Sequence, residues 1–286
     1  MKVLVVLHIF YEDQVPWFLD KLSHIHGCKW DLVVSYCGAS AGFMEQIRSF
    51  KPDVFFIRVE NEGFDVWPFI YVLRQVNLAD YDVLVKLHTK GPTKGFKLFI
   101  NRFRIRNYDW RDGLVLPFLG SDGRWKRLLR IFESKQDVGM VAPRKFVIAS
   151  HSFAEDGLLL DQELERVGLS CPSRNFVAGT MFAVRPHLLA CIRDTKHVSS
   201  DFVSAHESHS NGSLAHVYER ILSICIPAQG YKICLLGSKL AFVLHQIIVI
   251  LFKEVPLFIF ELARDSKDPG NRKYIRLLGF RFFLEK

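Results

Sequence analysis

The chain has 286 residues, of which 49% are hydrophobic and 24% are charged. This balance predicts one large folded domain or two smaller ones, and it excludes a largely disordered chain. The net charge of +8 is concentrated, because the segment from Lys86 to Arg130 holds twelve Lys or Arg and three Asp or Glu. A solvated basic face is the commoner cause of such a stretch. Its position beside a polar strand end favours an anionic partner such as a phosphate, a nucleic acid or a membrane surface.

The N-terminal segment predicts a buried strand and not an export signal. An apolar run from Val3 to Leu7 follows Met1-Lys2, and Tyr11-Glu12-Asp13 ends it too early for a secretory signal peptide. Six cysteines are scattered through the chain without a C-x-x-C pair, so we expect reduced thiols and no zinc site. Together these features predict a cytoplasmic protein.

Apolar runs and helical periodicity alternate along most of the chain. The predicted strands are Val3–Ile9, Trp30–Ser35, Val54–Val59, Val83–Leu87, Val138–Ala142 and Phe176–Val184. The predicted helices are Glu12–His26, a short one within Gly38–Phe50, Pro68–Val76, Trp125–Ser134, Leu158–Val167 and Leu214–Ile226. This alternation predicts a parallel, doubly wound α/β sheet with flanking helices. Neither G-x-G-x-x-G after the first strand nor G-x-x-x-x-G-K-[ST] occurs, which disfavours the classical dinucleotide and P-loop sites.

Polar side chains cluster after two of these strands. Asn61, Gly63 and Asp65 follow the third strand, and the fourth strand ends in Lys86-Leu87-His88-Thr89-Lys90. Ligands of open α/β sheets bind at the carboxyl ends of the strands, so the two segments predict one ligand site.

Lys86 and His88 alternate along the fourth strand and are expected on one face of the sheet. A Lys inside a strand needs a partner, which favours a polar site. The alternative is structural: Asp65 caps the helix that begins near Pro68, and His88 makes an ordinary hydrogen bond.

The C-terminal part differs in character. Leu240–Phe252 is apolar apart from His245 and Gln246, but it is too short to cross a bilayer, so we expect a core or interfacial helix. Tyr274–Phe283 predicts a β-hairpin around Gly279. The predicted organisation is an α/β domain over 1–235 and an apolar helical and hairpin extension over 236–286, a candidate for membrane association.

Further motifs follow the two polar segments along the chain. They are Trp110-Arg111, Val138-Gly139, Ala142-Pro143, Phe176-x-Ala178-Gly179-Thr180-Met181-Phe182, Arg185-Pro186, Asn211-Gly212-Ser213-Leu214-Ala215-His216 and Glu219-Arg220. With Glu60-Asn61-x-Gly63-x-Asp65 and the Lys86–Lys90 segment, this order resembles the rhamnan synthesis protein F family of bacterial polysaccharide glycosyltransferases. The resemblance covers Val3 to Tyr231. It implies a GT-A-like fold and transfer of a sugar, often a deoxyhexose such as rhamnose, to a growing glycan.

The resemblance also implies the co-substrates. The donor is expected to be a nucleotide-diphospho-sugar linked to TDP, UDP or GDP, and the acceptor a glycan or lipid-linked glycan. Enzymes of this type usually carry an Asp-x-Asp pair that holds a divalent metal at the end of the fourth strand. This chain has His88-Thr89-Lys90 there. We therefore expect cationic side chains to stabilise the leaving diphosphate, without an essential metal.

The same resemblance assigns roles to individual residues. The predicted donor-binding residues are Asn61, Gly63, Asp65, Lys86, His88, Thr89, Lys90 and Arg111. The predicted acceptor-binding residues are Gly179, Thr180 and Arg220. The predicted catalytic residues are Glu207 as general base, Asp201 as the second choice for that role, His216 and Glu219.

Two of these assignments carry alternatives. His216 can reach Glu219 and Arg220 on one helix, and the alternative to a site role is a surface salt bridge. The loop that follows Asp201 departs from the family pattern and has Asn211 where the family commonly has Asp, so the identity of the base stays open.

Other functions remain as alternatives. A non-catalytic nucleotide- or carbohydrate-binding protein of a polysaccharide assembly pathway would fit the altered loop. Single-stranded nucleic acid would fit the aromatic residues among the basic ones, which are Phe96, Phe99, Phe103, Tyr108 and Trp110. No nucleic-acid motif accompanies them, so no nucleic-acid partner is expected.

Membrane docking is compatible with the enzyme. The basic stretch and the apolar region Leu240–Phe260 predict peripheral contact with the anionic inner face of the cytoplasmic membrane.

Overall fold

The computed structural model describes residues 1–38, 42–91, 109–149, 157–170, 175–202 and 213–240, with shorter stretches at 243–244, 247, 260–264, 273–278 and 280–283. The chain divides into two compact units. One comprises Met1–Thr93 and Tyr108–Leu236, and the other comprises Lys94–Asn107 and Gly237–Lys286.

The first unit is built on apolar strands. In chain order they are β1 (Lys2–Ile9), β2 (Lys29–Tyr36), β3 (Phe55–Arg58), β4 (Val83–His88), β5 (Val138–Pro143), β6 (Val147–Ala149), β7 (Asn175–Val177), β8 (Phe182–Val184) and β9 (Lys232–Leu236). Seven of these described strands form one sheet in the order β3-β2-β1-β4-β8-β5-β9. β8 runs antiparallel to both of its neighbours, whereas the other pairs are parallel. β6 and β7 form a separate antiparallel pair.

Helices connect the strands. They are α1 (Val15–Leu22), α2 (Gly42–Phe50), α3 (Val66–Gln75), α4 (Asp109–Leu119), α5 (Asp122–Ser134), α6 (Gly157–Arg166), α7 (Ala190–Arg193) and α8 (Leu214–Ala228). Their apolar faces join the sheet in one core, as α8 illustrates with Val217, Ile221 and Ile224, which are fully buried at helical spacing.

The reversal of strand order places a crevice between β1 and β4. From β1 the chain runs outward through β2 to β3, and it then returns to β4 on the other side of β1. The register pairs His8 near the end of β1 with His88 at the end of β4. The carboxyl ends of β1 and β4 therefore form the topological switch point, which is where ligands bind in open α/β sheets.

The predicted α/β class is confirmed: the sheet is doubly wound, mostly parallel and flanked by helices, as the GT-A-like resemblance implies. The predicted continuous strand from Phe176 to Val184 is wrong. Gly179 and Thr180 have φ angles of +84° and +48°, and this left-handed backbone splits the segment into β7 and β8. The antiparallel β8 makes the sheet mixed, but most of its strand pairs are parallel, in keeping with the predicted fold class.

The described part of the second unit contains a three-stranded antiparallel sheet. Its strands are β10 (Phe260–Arg264), β11 (Lys273–Leu277) and β12 (Phe280–Phe283). The predicted terminal hairpin is confirmed as β11 and β12. Most of Leu240–Phe252 lies outside the described residues, but Leu240, Val243, Leu244 and Ile247 are described and solvent-exposed. Within the ranges given above, no helix is long and apolar enough to cross a membrane.

Candidate functional site

A buried lysine and a carboxylate form the centre of the site. Lys86 on β4 is 1% exposed, and its ammonium donates a hydrogen bond to Oδ2 of Asp65. The ammonium also donates to Oγ1 of Thr180 at 2.9 Å, and Thr180 donates to the same oxygen of Asp65. The ring of Phe69 lies 5.1 Å from the ammonium. A strand, a helix start and the turn before β8 thus converge on one buried charge, which confirms that Lys86 has a partner.

Asp65 neutralises this charge and does not cap α3. It occupies the N-cap position, but its side chain makes no capping hydrogen bond. Burial opposes the ionisation of Asp65. The charges of His88, when protonated, and of Lys86, with hydrogen bonds from Lys86 and Thr180, outweigh burial and hold the pKa of Asp65 below its usual range. Burial lowers the pKa of Lys86, and the Asp65 carboxylate counteracts that effect.

His88 has open hydrogen-bonding capacity. It is 3% exposed, and its Nδ1 lies 3.4 Å from Asp65 Oδ2. Neither ring nitrogen has a hydrogen-bond partner among the described residues. Burial lowers the pKa of His88 well below its usual value, and although Asp65 opposes this shift, Lys86 and Lys90 reinforce it. Buried polar groups are nearly always paired, so the predicted ordinary hydrogen bond of His88 is not what the structure shows, and a ligand is the expected partner.

His8 belongs to the same site, although sequence reasoning missed it. It lies beside His88 in the sheet, is 5% exposed, and has its Nδ1 3.0 Å from Oγ of Ser35 at the end of β2. Burial lowers its pKa to about 4, against the opposing charge of Asp65. The signal was present in the sequence, because His8 follows an apolar strand just as His88 does.

Thr89 is held by the segment that follows β1. Its Oγ1 accepts hydrogen bonds from the backbone N–H groups of Phe10 and Tyr11 at 2.8 and 2.9 Å. Gln14 binds the backbone of Lys90 on both sides, at 2.7 Å to its carbonyl oxygen and 3.3 Å from its N–H. These contacts fix the direction of the chain beyond β4 and give the Thr89 side chain a structural role.

The two predicted cations near the strand end differ in what they contact. Arg111 is 6% exposed, lies 3.8 Å from the ring of Trp17 and donates to Asp112 at 2.9 Å. Lys90 is half-buried, and its ammonium lies 5.3 Å from the ring of Trp110. Arg111 is thus engaged by a ring and a carboxylate, whereas the contact described for the Lys90 ammonium is an aromatic ring.

Gly63 is required by packing. Its φ is +63°, and an added Cβ would lie 2.8 Å from the side chain of Phe202 and 2.9 Å from Trp67 Cβ. The loop that carries Asn61 and Asp65 can pack under Phe202 because residue 63 has no side chain.

Gly179 and Glu219 hold the turn that brings Thr180 to Lys86. The Gly179 N–H donates to Glu219 Oε1 at 2.7 Å. An added Cβ at Gly179 would lie 2.6 Å from both Leu114 Cδ1 and Trp110 Nε1. The predicted catalytic residue Glu219 therefore has a positioning contact with the turn.

Comparison with known proteins identifies the family of this chain. The model of the family described as rhamnan synthesis protein F matches residues 1–231. The chain belongs to the rhamnan synthesis protein F family. The matched range includes β1 to β8 and each of the site residues described above.

The relatives are longer proteins. The chain is 25% identical over 242 residues to the uncharacterized protein WxcX of Xanthomonas campestris pv. campestris strain B100, a match that covers 80% of this chain and 32% of WxcX. It therefore spans about a third of the length of the curated relatives it matches.

Two solved structures align distantly with the chain. Residues 1–349 of S. aureus TarS align with a TM-score of 0.44 at 9% identity, over 84% of this chain and 59% of that one. The mannosyltransferase PcManGT from Pyrobaculum calidifontis, solved with GDP-Man and Mn²⁺, aligns with a TM-score of 0.39 at 13% identity, over 94% of this chain and 66% of that one.

The donor set at the end of β4 does not fit a hard divalent cation. Lys86 and Lys90 are positive, and the Asp65 carboxylate oxygen Oδ2 is occupied by hydrogen bonds. Mg²⁺ and Mn²⁺ prefer oxygen ligands, usually with a carboxylate. In the part of the chain that the structure describes, no three His, Cys, Asp or Glu side chains are grouped to hold a metal.

His216 contacts the start of its own helix. Its Nδ1 lies 2.7 Å from Oγ of Ser213, the N-cap residue of α8, and its ring packs edge-on against Phe64 at 5.9 Å. Arg220 is 3% exposed and donates to the backbone oxygen of His216 at 3.1 Å. The Ser213 hydroxyl thus contacts the His216 ring, the Glu219 carboxylate contacts the Gly179 N–H, and Arg220 meets His216 at its backbone oxygen. The site role of the three residues stays a prediction.

The two predicted general bases differ in status. Glu207 and Asn211 lie outside the described residues, as do Phe96, Phe99, Phe103 and Tyr108. Asp201 is exposed, and its Oδ2 accepts hydrogen bonds from the Val198 N–H and from His197, each at 3.0 Å. These two contacts lower the pKa of Asp201, which makes it a weaker base.

A second buried polar network lies behind Asp201. His197 Nε2 is 2.8 Å from Glu163 Oε2, which also accepts a hydrogen bond from the Tyr218 hydroxyl at 3.1 Å. Glu163 is 2% exposed. Sequence reasoning missed this network, because Glu163 lies within a predicted helix and has no motif around it.

Proposed function

We propose that the chain is a glycosyltransferase of polysaccharide synthesis, which moves a sugar from a nucleotide-diphospho-sugar to a growing cell-surface or lipid-linked glycan. The observation that carries the proposal is the polar cluster at the switch point, where His88 is buried beside the Lys86–Asp65 pair and its ring nitrogens have no hydrogen-bond partner among the described residues. Such a cluster at the carboxyl ends of β1 and β4 is suited to a polar ligand. Membership of a polysaccharide-synthesis family supports sugar transfer as the reaction.

The role proposed for Lys90 is stabilisation of the leaving diphosphate. Charge that develops on a leaving group is stabilised best by a fixed positive charge that is not already neutralised. The charge of Lys86 is balanced by Asp65, whereas the Lys90 ammonium faces only an aromatic ring among its described contacts. We therefore propose that transfer does not require a divalent metal.

Ligand-induced stabilisation tests both statements. The thermal midpoint of the protein is measured with UDP, GDP, TDP and CMP and their common sugar conjugates, in EDTA and in Mg²⁺. We expect one nucleotide class to raise the midpoint in EDTA, because ligand bound to the folded state stabilises by about 2.7 kcal/mol at a hundred times Kd. The Lys90→Met variant should lose most of the effect. Lys232→Met, which removes an exposed lysine paired with Asp137 on the surface, is the control.

The outcomes separate the possibilities. A rise in the thermal midpoint that requires Mg²⁺ would contradict the proposed metal independence but would still support the proposal that the chain is a glycosyltransferase. The absence of any shift with every nucleotide tested would count against the transferase.

The donor sugar is proposed to be a deoxyhexose such as rhamnose, and the acceptor a lipid-linked glycan at the inner face of the cytoplasmic membrane. Exposed apolar side chains at Leu240, Val243, Leu244 and Ile247 support peripheral membrane contact. The protein should sediment with anionic vesicles, and the double variant Leu244→Glu/Ile247→Glu should stay in the supernatant. Equal sedimentation of both proteins would count against this surface.

Binding without turnover is the second candidate. The observation in its favour is that Asp201, one of the two predicted bases, is engaged by His197 and Val198. A donor that binds but is neither hydrolysed nor transferred to a lipid-linked acceptor fraction would favour this candidate.

A further inference from the structure

The ring nitrogens of His88 have no hydrogen-bond partner among the described residues. Their hydrogen-bonding capacity limits which chemical groups of a ligand can bind there. Its charged and titratable neighbours are Lys86, Asp65, Lys90 and His8. Asp65 Oδ2, the nearest acceptor, already receives hydrogen bonds from Lys86 and Thr180. The Asp65 carboxylate therefore satisfies the buried ammonium and leaves the imidazole without an aligned partner.

The imidazole is neutral near pH 7, because burial lowers the pKa of His88 well below that range. A neutral imidazole carries one N–H donor and one nitrogen acceptor. Both atoms are buried and without hydrogen bonds among the described residues. The ligand that completes this ring must therefore accept from one nitrogen and donate to the other.

This requirement distinguishes the chemical parts of a nucleotide-sugar. The oxygens of a diphosphate ester accept hydrogen bonds and cannot donate, so they satisfy one nitrogen of a neutral imidazole and leave the other unpaired. A hydroxyl group both donates and accepts. Adjacent hydroxyl groups on a sugar ring supply both functions.

We propose that His88 binds hydroxyl groups of a sugar ring in the donor, and not its diphosphate. The inference rests on the proposed function and narrows the role predicted for His88 from donor binding in general to a sugar ring of the donor. The diphosphate is left to Lys90, two positions further along the chain. Two sugar rings share this chemistry, the ribose of the nucleotide and the transferred sugar.

Titration calorimetry with matched variants tests the proposal. The probes are UDP, GDP and TDP and their glucose, mannose and rhamnose conjugates, in EDTA, with wild type, His88→Leu and His88→Gln. His187→Leu, the same substitution at an exposed histidine that packs against Tyr231, is the control. We expect His88→Leu to weaken the conjugate that binds wild type by roughly ten- to a hundredfold, since two hydrogen bonds are lost. His88→Gln, which keeps a donor and an acceptor, should stay within about fivefold.

The two rings are distinguished by the free nucleotides. If the transferred sugar is bound, His88→Leu weakens the conjugate and leaves the nucleoside diphosphate unchanged. If the ribose is bound, both are weakened equally. Either result supports the proposal.

The pH dependence gives a second readout on wild type that does not depend on the folding of a variant. The diphosphate of a conjugate does not titrate between pH 6 and 8, so binding through a neutral imidazole predicts a flat affinity there. Affinity for the conjugate that rises as pH falls would show an imidazolium on the phosphates and overturn the proposal. Equal binding by wild type and His88→Leu would overturn it while leaving the transferase intact. If wild type binds none of the probes, the proposed function fails and the inference fails with it.

Discussion

Lys86 and Asp65 are 21 residues apart in the chain, and the ammonium of the first donates directly to the carboxylate of the second. This contact attaches the loop after β3 to the central strand β4. A lysine that is 1% exposed inside an apolar strand is tolerable only when its charge is compensated. The ion pair therefore fixes the position of the loop that begins at Asn61, and with it one wall of the crevice.

Removing the carboxylate should destabilise the fold strongly. Asp65→Asn leaves the Lys86 ammonium buried without a counter-charge, and we expect a loss of about 3–5 kcal/mol in the free energy of unfolding. The double variant Asp65→Leu/Lys86→Met should recover most of that loss, because both charges are removed together. Urea unfolding measures the three proteins. Asp137→Asn, which breaks the exposed pair with Lys232, should leave the urea unfolding curve close to that of wild type. Equal losses for Asp65→Asn and Asp137→Asn would contradict this account.

The same pair should make stability depend on acidity. Its partners hold the pKa of Asp65 in the folded protein below the ordinary value of 3.8. As the pH falls below about 4, the unfolded chain takes up a proton at this carboxyl that the folded protein does not, so the free energy of unfolding decreases. We expect a shallower decrease in Asp65→Leu/Lys86→Met, measured by urea unfolding at intervals between about pH 5 and pH 2.5. Parallel curves for the variant and wild type would show that Asp65 is not the group responsible.

Substitutions at two glycines can distinguish the cost of backbone strain from the cost of a steric clash. Gly168 and Gly179 both have positive φ, at +69° and +84°, but an added Cβ meets nothing within 4 Å at Gly168 and lies 2.6 Å from two side-chain atoms at Gly179. Gly168→Ala should therefore cost about 1 kcal/mol from strain alone, and Gly179→Ala should cost about 2–4 kcal/mol. Chemical denaturation of both variants gives the comparison. If the two losses are the same, the turn at Gly179 has room that the structure does not show.

A conservative substitution can show whether Glu219 has a positioning role or a catalytic role. Glu219→Gln keeps an oxygen that accepts from the Gly179 N–H, whereas Glu219→Ala leaves that N–H without its partner at 2.7 Å. If the role is positioning, the Gln variant should keep donor turnover within about tenfold of wild type, and the Ala variant should lose about 1–3 kcal/mol of stability. A Gln variant that is as stable as wild type but inactive would instead show that the carboxylate takes part in the chemistry.

Sequence reasoning identified site residues best where a polar side chain interrupts an apolar strand. Lys86 and His88 stand out because they are polar residues in an apolar strand, and both lie in the crevice. His8 has the same signature after β1, and it was missed because no family motif includes it.

Features that depend on tertiary contacts could not be read from periodicity. In the sequence, the turn at Gly179 and Thr180 looks like the middle of one apolar strand, because the residues before it (176–178) and after it (181–184) are all apolar and buried. The Ser213 contact of His216 was not predicted, because helical spacing pointed to Glu219 and Arg220, whereas Ser213 caps α8 and its hydroxyl lies 2.7 Å from the ring nitrogen Nδ1. The rotamer of a helical side chain decides whether it contacts the N-cap residue or a residue one turn further along the helix. Sequence spacing does not determine that rotamer.

The position of the antiparallel strand β8 also decides when the crevice is completed during synthesis. Thr180 hydrogen-bonds to Lys86 across 94 residues of sequence, and it reaches this position because β8 inserts between β4 and β5. During translation, β1 to β4 leave the ribosome well before β8, so for that interval Lys86 lacks its Thr180 partner. Closing so long a loop is slow compared with forming a helix. The nascent chain therefore carries an incomplete crevice until β8 has been made and has paired with β4.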